Sequence, residues 1–289
     1  MRLIIIRLGL VLAAVPALLA APISFQDIAL AGTAEFPNPS ILRLVPDHDT
    51  GTAAPPAGAA WLDSPVSVDS GFSTTFDFQL WGFTGQTDEN GRPAGDGFAF
   101  VIQNDPTGLA AIGVGASGLG YMFIRDSIAI EFDAYRNAPF YGDPNSNHIA
   151  VNTMGKAPNM PQHVCAGGHF LDPQFATIPC ASRPTIAMNS QLTFDLKDGR
   201  VHQATIAYSA NALSVFVDGQ SELVAPVDID SVLKLNPGQP AHLGFTAGGR
   251  YSYENADITN WSVTPTPEPG TLALISIGLG AFWVLRRKR

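Results

Sequence analysis

The 289-residue chain has 14% charged residues, 28 Gly, 23 Pro and a formal net charge of −9. That length allows one large all-β domain or two ordinary ones, and sparse charge with abundant Gly and Pro argues against a helical bundle or coiled coil. The acidic balance argues against nucleic acid, which needs a basic footprint; six of the 16 basic residues lie at the two ends, so the field of the middle favours cations. In chain order, the first segment is an address. Arg2 and Arg7 precede an apolar run over residues 8–19, and the small Ala20 and Ala21 follow. A basic head, a short apolar stretch and a small-residue exit describe a secretory signal over residues 1–21, short of the ~20 residues a membrane span needs.

Residues 22–264 read as one all-β domain. Strand-length segments occur at 71–80, 97–103, 127–132, 148–152, 201–208, 212–217 and 256–263, bounded by Gly, Pro, Asn and Asp. Period-2 patterning of this kind predicts a β-sandwich or jelly roll. The likeliest helical turn is 229–233, and no repeat or linker divides the segment.

The densest chemistry lies at 130–148. Glu131 and Asp133 stand two apart on a strand and share one face, with Ile130 and Phe132 on the opposite, core-facing side. Asp133 opens a loop holding the oxygen donors Asn137 and Asp143, and His148 begins the return strand. Oxygen donors from a loop suit calcium, whereas two or three carboxylates plus an imidazole suit a transition ion such as manganese. A solvated acidic loop with a stray histidine is the competing reading of these spacings.

Cys165 and Cys180 are the only cysteines, and in an exported chain they predict one disulfide. Closing a ~15-residue loop contributes about 3 kcal/mol in the chain-entropy model. His163 and His169 flank Cys165 and raise a Cys/His zinc site as the alternative, but no C-x-x-C or H-x-x-x-H spacing accompanies them.

At the end, Pro267-Glu268-Pro269 precedes apolar or small residues at 272–285 and then Arg286, Arg287, Lys288 and Arg289. A helix over that run is about 21 Å long at 1.5 Å per residue, marginal as a permanent span and adequate for transient membrane contact. Residues 265–289 resemble the PEP-CTERM sorting tail of Gram-negative bacteria. The resemblance implies export, an exosortase-type partner, and placement at the cell surface or in the extracellular matrix with exopolysaccharide.

Several motifs together resemble the L-type, legume-like lectins. They are Glu131-Phe132-Asp133-Ala134-Tyr135-Arg136-Asn137, Gly142-Asp143-Pro144, and His148. Upstream, Asp96-Gly97-Phe98-Ala99-Phe100 and the glycine-rich run at 113–121 match in the same order, as do 243–247 and 258–263 near the end. The resemblance implies a concanavalin-like jelly-roll sandwich. It implies a manganese (or other transition-ion) site at Glu131, Asp133, Asp143 and His148, and a calcium site at Asp133, the Tyr135 carbonyl, Asn137 and Asp143. Carbohydrate would be bound by Asp96, Asn137, the backbone near Gly115 and Gly118, the Tyr135 ring, and the loop starting at Ala247. Many relatives pair, so a homodimer is a further partner it admits. Gly95 departs from the alanine usual in that family, and residues 153–190 match no common pattern.

The expected function is therefore an exported, metal-dependent binder of glycans or exopolysaccharide, without catalysis. Two alternatives remain: a non-catalytic matrix protein on a lectin scaffold, and a glycoside hydrolase of the same architecture. Hydrolases resembling this strand carry Glu-x-Asp-x-(x)-Glu, whereas Tyr135 and Arg136 leave the last carboxylate missing here.

Overall fold

Along the stretch marked by alternation, Phe72, Thr74, Phe76, Phe78 and Leu80 are buried while the residues between them are only partly so. Every second side chain of a strand faces the same way, so this pattern fixes which face meets the core. The computed structural model describes residues 23–138, 141–163, 184–236 and 238–266. The signal segment, Cys165, Cys180, His169 and residues 272–285 lie outside them.

Two antiparallel seven-stranded sheets form. In spatial order, the first holds β1 (Ile28–Gly32), β4 (Ala57–Leu62), β13 (His242–Gly248), β6 (Gly97–Gln103), β7 (Ser127–Asp133), β8 (His148–Thr153) and β9 (Thr185–Asn189). The second holds β12 (Gln220–Pro226), β11 (Ala212–Val217), β10 (His202–Ser209), β5 (Phe72–Gly85), β14 (Ser252–Pro265), β3 (Ile41–Arg43) and β2 (Glu35–Asn38). Neighbours distant in sequence, such as β13 beside β6 and β14 beside β5, give the jelly-roll arrangement. The short helix α1 (Ile229–Leu233) is capped by Asp228, whose side chain accepts from Ser231 N at 3.0 Å.

Aromatic rings fill the space between the sheets. Phe98 on β6 stacks on Phe132 of β7 with centroids 4.6 Å apart, and Phe76 from the facing sheet meets Phe245 edge-on at 4.8 Å. The first sheet is covered on its other face too. Trp61, Ala99, Val101, Leu119, Tyr121 and Ala129 form a second buried cluster there, under the segment that joins β6 to β7. Burial on both sides explains why β6 and β7 read as continuous apolar runs.

Candidate functional site

Strand β7 sets the first two carboxylates. Ile128, Ile130 and Phe132 belong to the inter-sheet core, so Glu131 and Asp133 lie on the outer, covered face. Antiparallel pairing puts Asp133 opposite His148 on one side and Gly97 on the other, and Glu131 between Ala150 and Ala99. Alanines on both flanks leave room beside Glu131 for larger side chains from elsewhere. Tyr121 donates its hydroxyl to Glu131 Oε2 at 2.6 Å and is itself met by Asn152 Nδ2 at 2.9 Å. Glu131 Oε1 is fully buried and has no hydrogen-bond partner among the described residues.

The loop after β7 folds back through its own aspartates. Asp133 Oδ1 accepts from Tyr135 N at 2.9 Å, and Asp143 Oδ2 accepts from Asn137 N at 2.5 Å. Asn145 O lies 2.9 Å from His148 Nδ1; a carbonyl can only accept, so Nδ1 carries the proton and Nε2 faces the carboxylates. Donor atoms of Asp133, Asp143 and His148 lie within 4.8 Å of one another, and so do those of Glu131, His148 and His163.

Burial pushes Asp133 well above the usual carboxylate range, and the nearby Asp143 and Glu131 charges add to the shift. Burial likewise raises Asp143 to about 7, against the pull of His148. Burial alone would raise Glu131 as well, but the imidazoles of His148 and His163 hold it below its ordinary value. Buried acids that repel one another, with one carboxylate oxygen lacking a donor, form a set that cationic charge would satisfy. The oxygens of Asp133, Asp143 and Asn137 fit calcium, and the carboxylates with imidazole fit a transition ion.

A protein cation braces the same loop. Lys197 Nζ donates to Ala134 O at 3.0 Å, to Ser146 O at 2.6 Å and to Ser146 Oγ at 2.6 Å, and pairs with Asp88 Oδ2 at 3.0 Å. Both ends of the loop are thus tied to one ammonium. Burial would raise Asp88, but backbone N–H donation from Arg92 and Asn90 and the Lys197 contact hold it well below the usual range.

Asp96 lies beside this loop, with Ala134 N donating to its carbonyl at 3.1 Å. Its Oδ2 accepts from Arg250 N at 3.2 Å, and the residue is 3% exposed. Burial raises its pKa well above the ordinary value, and the Asp143 charge adds to this. The turn carrying Arg250 also approaches the glycine-rich loop. A Cβ on Gly248 would lie 2.7 Å from Ala116 O, one on Gly120 2.5 Å from Ala247 O, and Thr246 Oγ1 donates to Leu119 O at 2.8 Å. The glycine-rich loop carrying Gly115 and Gly118 thus packs against the end of β13 at Ala247 and Gly248, two residues before the Arg250 N–H that Asp96 accepts. The Tyr135 hydroxyl donates to Gln86 Oε1 at 3.2 Å, which fixes its ring.

Two residues here were not assigned to this site by sequence, which weighed His163 only for a Cys/His zinc site with Cys165. His163 joins Glu131 and His148, and its place depends on a backbone N–H donated to Tyr141 O at 2.7 Å, which no local spacing reveals. Glu254 is fully buried, with Oε1 accepting from Gly97 N at 2.7 Å. A Cβ on Gly95 would lie 1.3 Å from Glu254 Oε2, so the glycine that departs from the family pattern is required by this carboxylate.

Two packed antiparallel sheets, with an acidic, histidine-bearing loop at the end of one, define a jelly-roll sandwich of the lectin type. The legume lectin domain matches residues 23–273, and the chain belongs to that family. The PEP-CTERM protein-sorting motif matches residues 265–289. No curated protein matches the chain. Among solved structures, the metal-free lectin I-B4 from Griffonia simplicifolia is 22% identical, with TM-score 0.58, covering 83% of this chain and 93% of its own. The lectin from Bauhinia forficata in complex with GalNAc is 23% identical, with TM-score 0.56 and coverage of 84% and 94%. The VIP36 exoplasmic/lumenal domain in its Ca2+/Man-bound form is 15% identical, with TM-score 0.54 and 83% coverage of both chains.

Proposed function

We propose that the chain is an exported, metal-dependent lectin that binds cell-surface or extracellular polysaccharide without catalysis. Its working part is residues 22–264, delivered by the signal at 1–21 and by exosortase-type sorting of the tail at 265–289. The observation that carries this reading is the Ala134 N–H to Asp96 O bond of 3.1 Å. It couples the recessed acid that would meet a sugar to the residue next to Asp133.

On this reading Asp133, the Tyr135 carbonyl, Asn137 and Asp143 hold calcium, while Glu131, Asp133, Asp143 and His148 hold a transition ion. The bound ions supply positive charge that lets the buried acids ionise together and keeps the loop in one shape. Asp96 accepts hydrogen bonds from sugar hydroxyls, Asn137 donates one, and backbone N–H groups near Gly115, Gly118 and Ala247 complete the polar rim. The Tyr135 ring offers an apolar face to sugar C–H groups. Arg250 and Tyr251, with the guanidinium 4.9 Å from the ring centroid and Tyr251 58% exposed, stand at the same rim and would set sugar preference. Structures of the fold bind such ligands, mannose in VIP36 and GalNAc in the Bauhinia lectin. Arg136 stands close to where the hydrolase pattern needs a further acid, which favours binding over catalysis.

The test is an array of glycans and exopolysaccharides probed with the full chain in calcium and manganese, then in EDTA. Binding should vanish in EDTA and return with calcium. Binding indifferent to EDTA would refute metal dependence, and no binding by metal-loaded protein would favour the matrix-protein alternative.

A further inference from the structure

We infer that His163 is a second imidazole donor of the transition-ion site and makes that site selective for a late first-row divalent ion, Zn2+ foremost, over manganese. This rests on the metal-site reading above and concerns only which ion it takes.

The geometry comes first. His163 Nε2 lies 3.0 Å from His148 Nε2, 3.2 Å from Glu131 Oε1 and 3.5 Å from Asp143 Oδ1, while His148 Nε2 lies 3.8 Å from Glu131 Oε1. Donors around one ion with ~2.1 Å bonds are separated by roughly 3.0 Å when at right angles and 3.4 Å when tetrahedral. All four separations are close to that range. Both imidazoles and the Glu131 carboxylate are almost wholly buried, and Glu131 Oε1 has no hydrogen-bond partner among the described residues. The orphaned oxygen therefore faces the point on which the two Nε2 atoms converge.

Each ring is also held from behind. His148 Nδ1 donates to Asn145 O at 2.9 Å, and His163 Nδ1 lies 2.6 Å from Thr185 Oγ1 on β9. An imidazole whose Nδ1 donates presents the Nε2 lone pair forward, the usual arrangement of a metal-bound histidine. His148 Nε2 can only accept, so the 3.0 Å contact is bridged either by a proton on His163 Nε2, with Thr185 Oγ1 donating to His163 Nδ1, or by a cation that takes both lone pairs, with Thr185 Oγ1 accepting from Nδ1. Imidazole donors favour zinc, copper, nickel and iron, whereas carboxylate and water favour manganese. A second imidazole in place of a water shifts the preference accordingly.

The experiment uses the full chain saturated with calcium. Cu2+ is the spectroscopic probe, and Zn2+ competes with Mn2+ for affinity. The wild-type Cu2+ resonance should show hyperfine structure from two nitrogens, and His163→Gln should show one. His163→Gln should also lose Zn2+ affinity by about tenfold or more while Mn2+ affinity moves little. Thr185→Val, which keeps the donor and removes its support, should lose about tenfold in Zn2+ affinity and serves if His163→Gln fails to fold. An unchanged copper spectrum in His163→Gln, unchanged Zn2+ affinity in both variants, or a wild type that prefers Mn2+ would overturn the inference. Calcium binding and glycan capture are read on the same samples. If both persist while no transition ion binds, this inference alone falls; if both are also absent, the lectin reading falls with it.

Discussion

On one face of β7, Ile128, Ile130 and Phe132 pack against rings from the facing sheet; on the other, Ala129, Glu131 and Asp133 lie under the segment joining β6 to β7. Both faces are buried. The apolar face is complete within the protein, because Phe132 meets the rings of Phe76, Phe78 and Phe98. The acidic face is not, because Asp133 and Asp143 are driven toward protonation and Glu131 Oε1 has no hydrogen bond among the described residues. Water-free packing stabilises one face outright, whereas the other gains its stability from whatever charge enters it. The chain has already supplied some of that charge beside the loop, through Lys197 on Ala134 and Ser146.

Substitutions on the two faces should therefore respond to metal in opposite ways. Phe132→Ala should cost about 3–5 kcal/mol in urea unfolding, equally in calcium and in EDTA. A cost confined to one condition would couple the two faces. Asp133→Ala should erase the stabilisation that saturating calcium gives the wild type, about 2.7 kcal/mol at a hundredfold excess over Kd. In EDTA the same change removes a penalised buried acid, so the variant should be no less stable than the wild type. A large loss in EDTA would contradict the account.

Gly95→Ala probes the seam between the faces, where the new methyl meets the Glu254 carboxylate. Overpacking there should cost about 1–3 kcal/mol, and pairing it with Glu254→Ala should recover part of that. If the double variant shows simple addition of two losses, the clash is not the cause.

The smallest effect is in pH. Asp143 holds its proton up to about 7 in the folded, metal-free chain, from an ordinary value of 3.8, and the folded pKa of His148 is raised as well. The folded state then binds more protons than the unfolded one between about pH 4.5 and 7, so metal-free stability should fall as pH rises through that window. Below it, the lowered Glu131 acts in the opposite sense. Calcium should flatten or reverse the slope, and urea titrations at pH 5 and 7 with and without EDTA measure it.

Much of this was readable in the sequence, for reasons specific to each element. The strands at 72–85, 202–209 and 212–217 declare themselves because one face is wet and one is dry, and alternation follows. The edge strand β2 and its neighbour β3 do not, being only four and three residues long. β9 was hidden in the stretch that matched no pattern, and it supplies Thr185 behind His163. Glu131, Asp133, Asp143 and His148 were legible because one hairpin carries them within a short span. His163 and Glu254 were not, since each arrives from a distant segment whose approach depends on tertiary contacts. Gly95 was visible as a departure, but its reason lay 159 residues away in Glu254.

The most direct test of the central claim is capture of polysaccharide by the wild type and Asp96→Asn side by side, both calcium-loaded and with matched melting curves. The account predicts that the wild type is retained and released by EDTA, while Asp96→Asn is not retained at all. Equal retention of the two proteins would place sugar recognition elsewhere and contradict it.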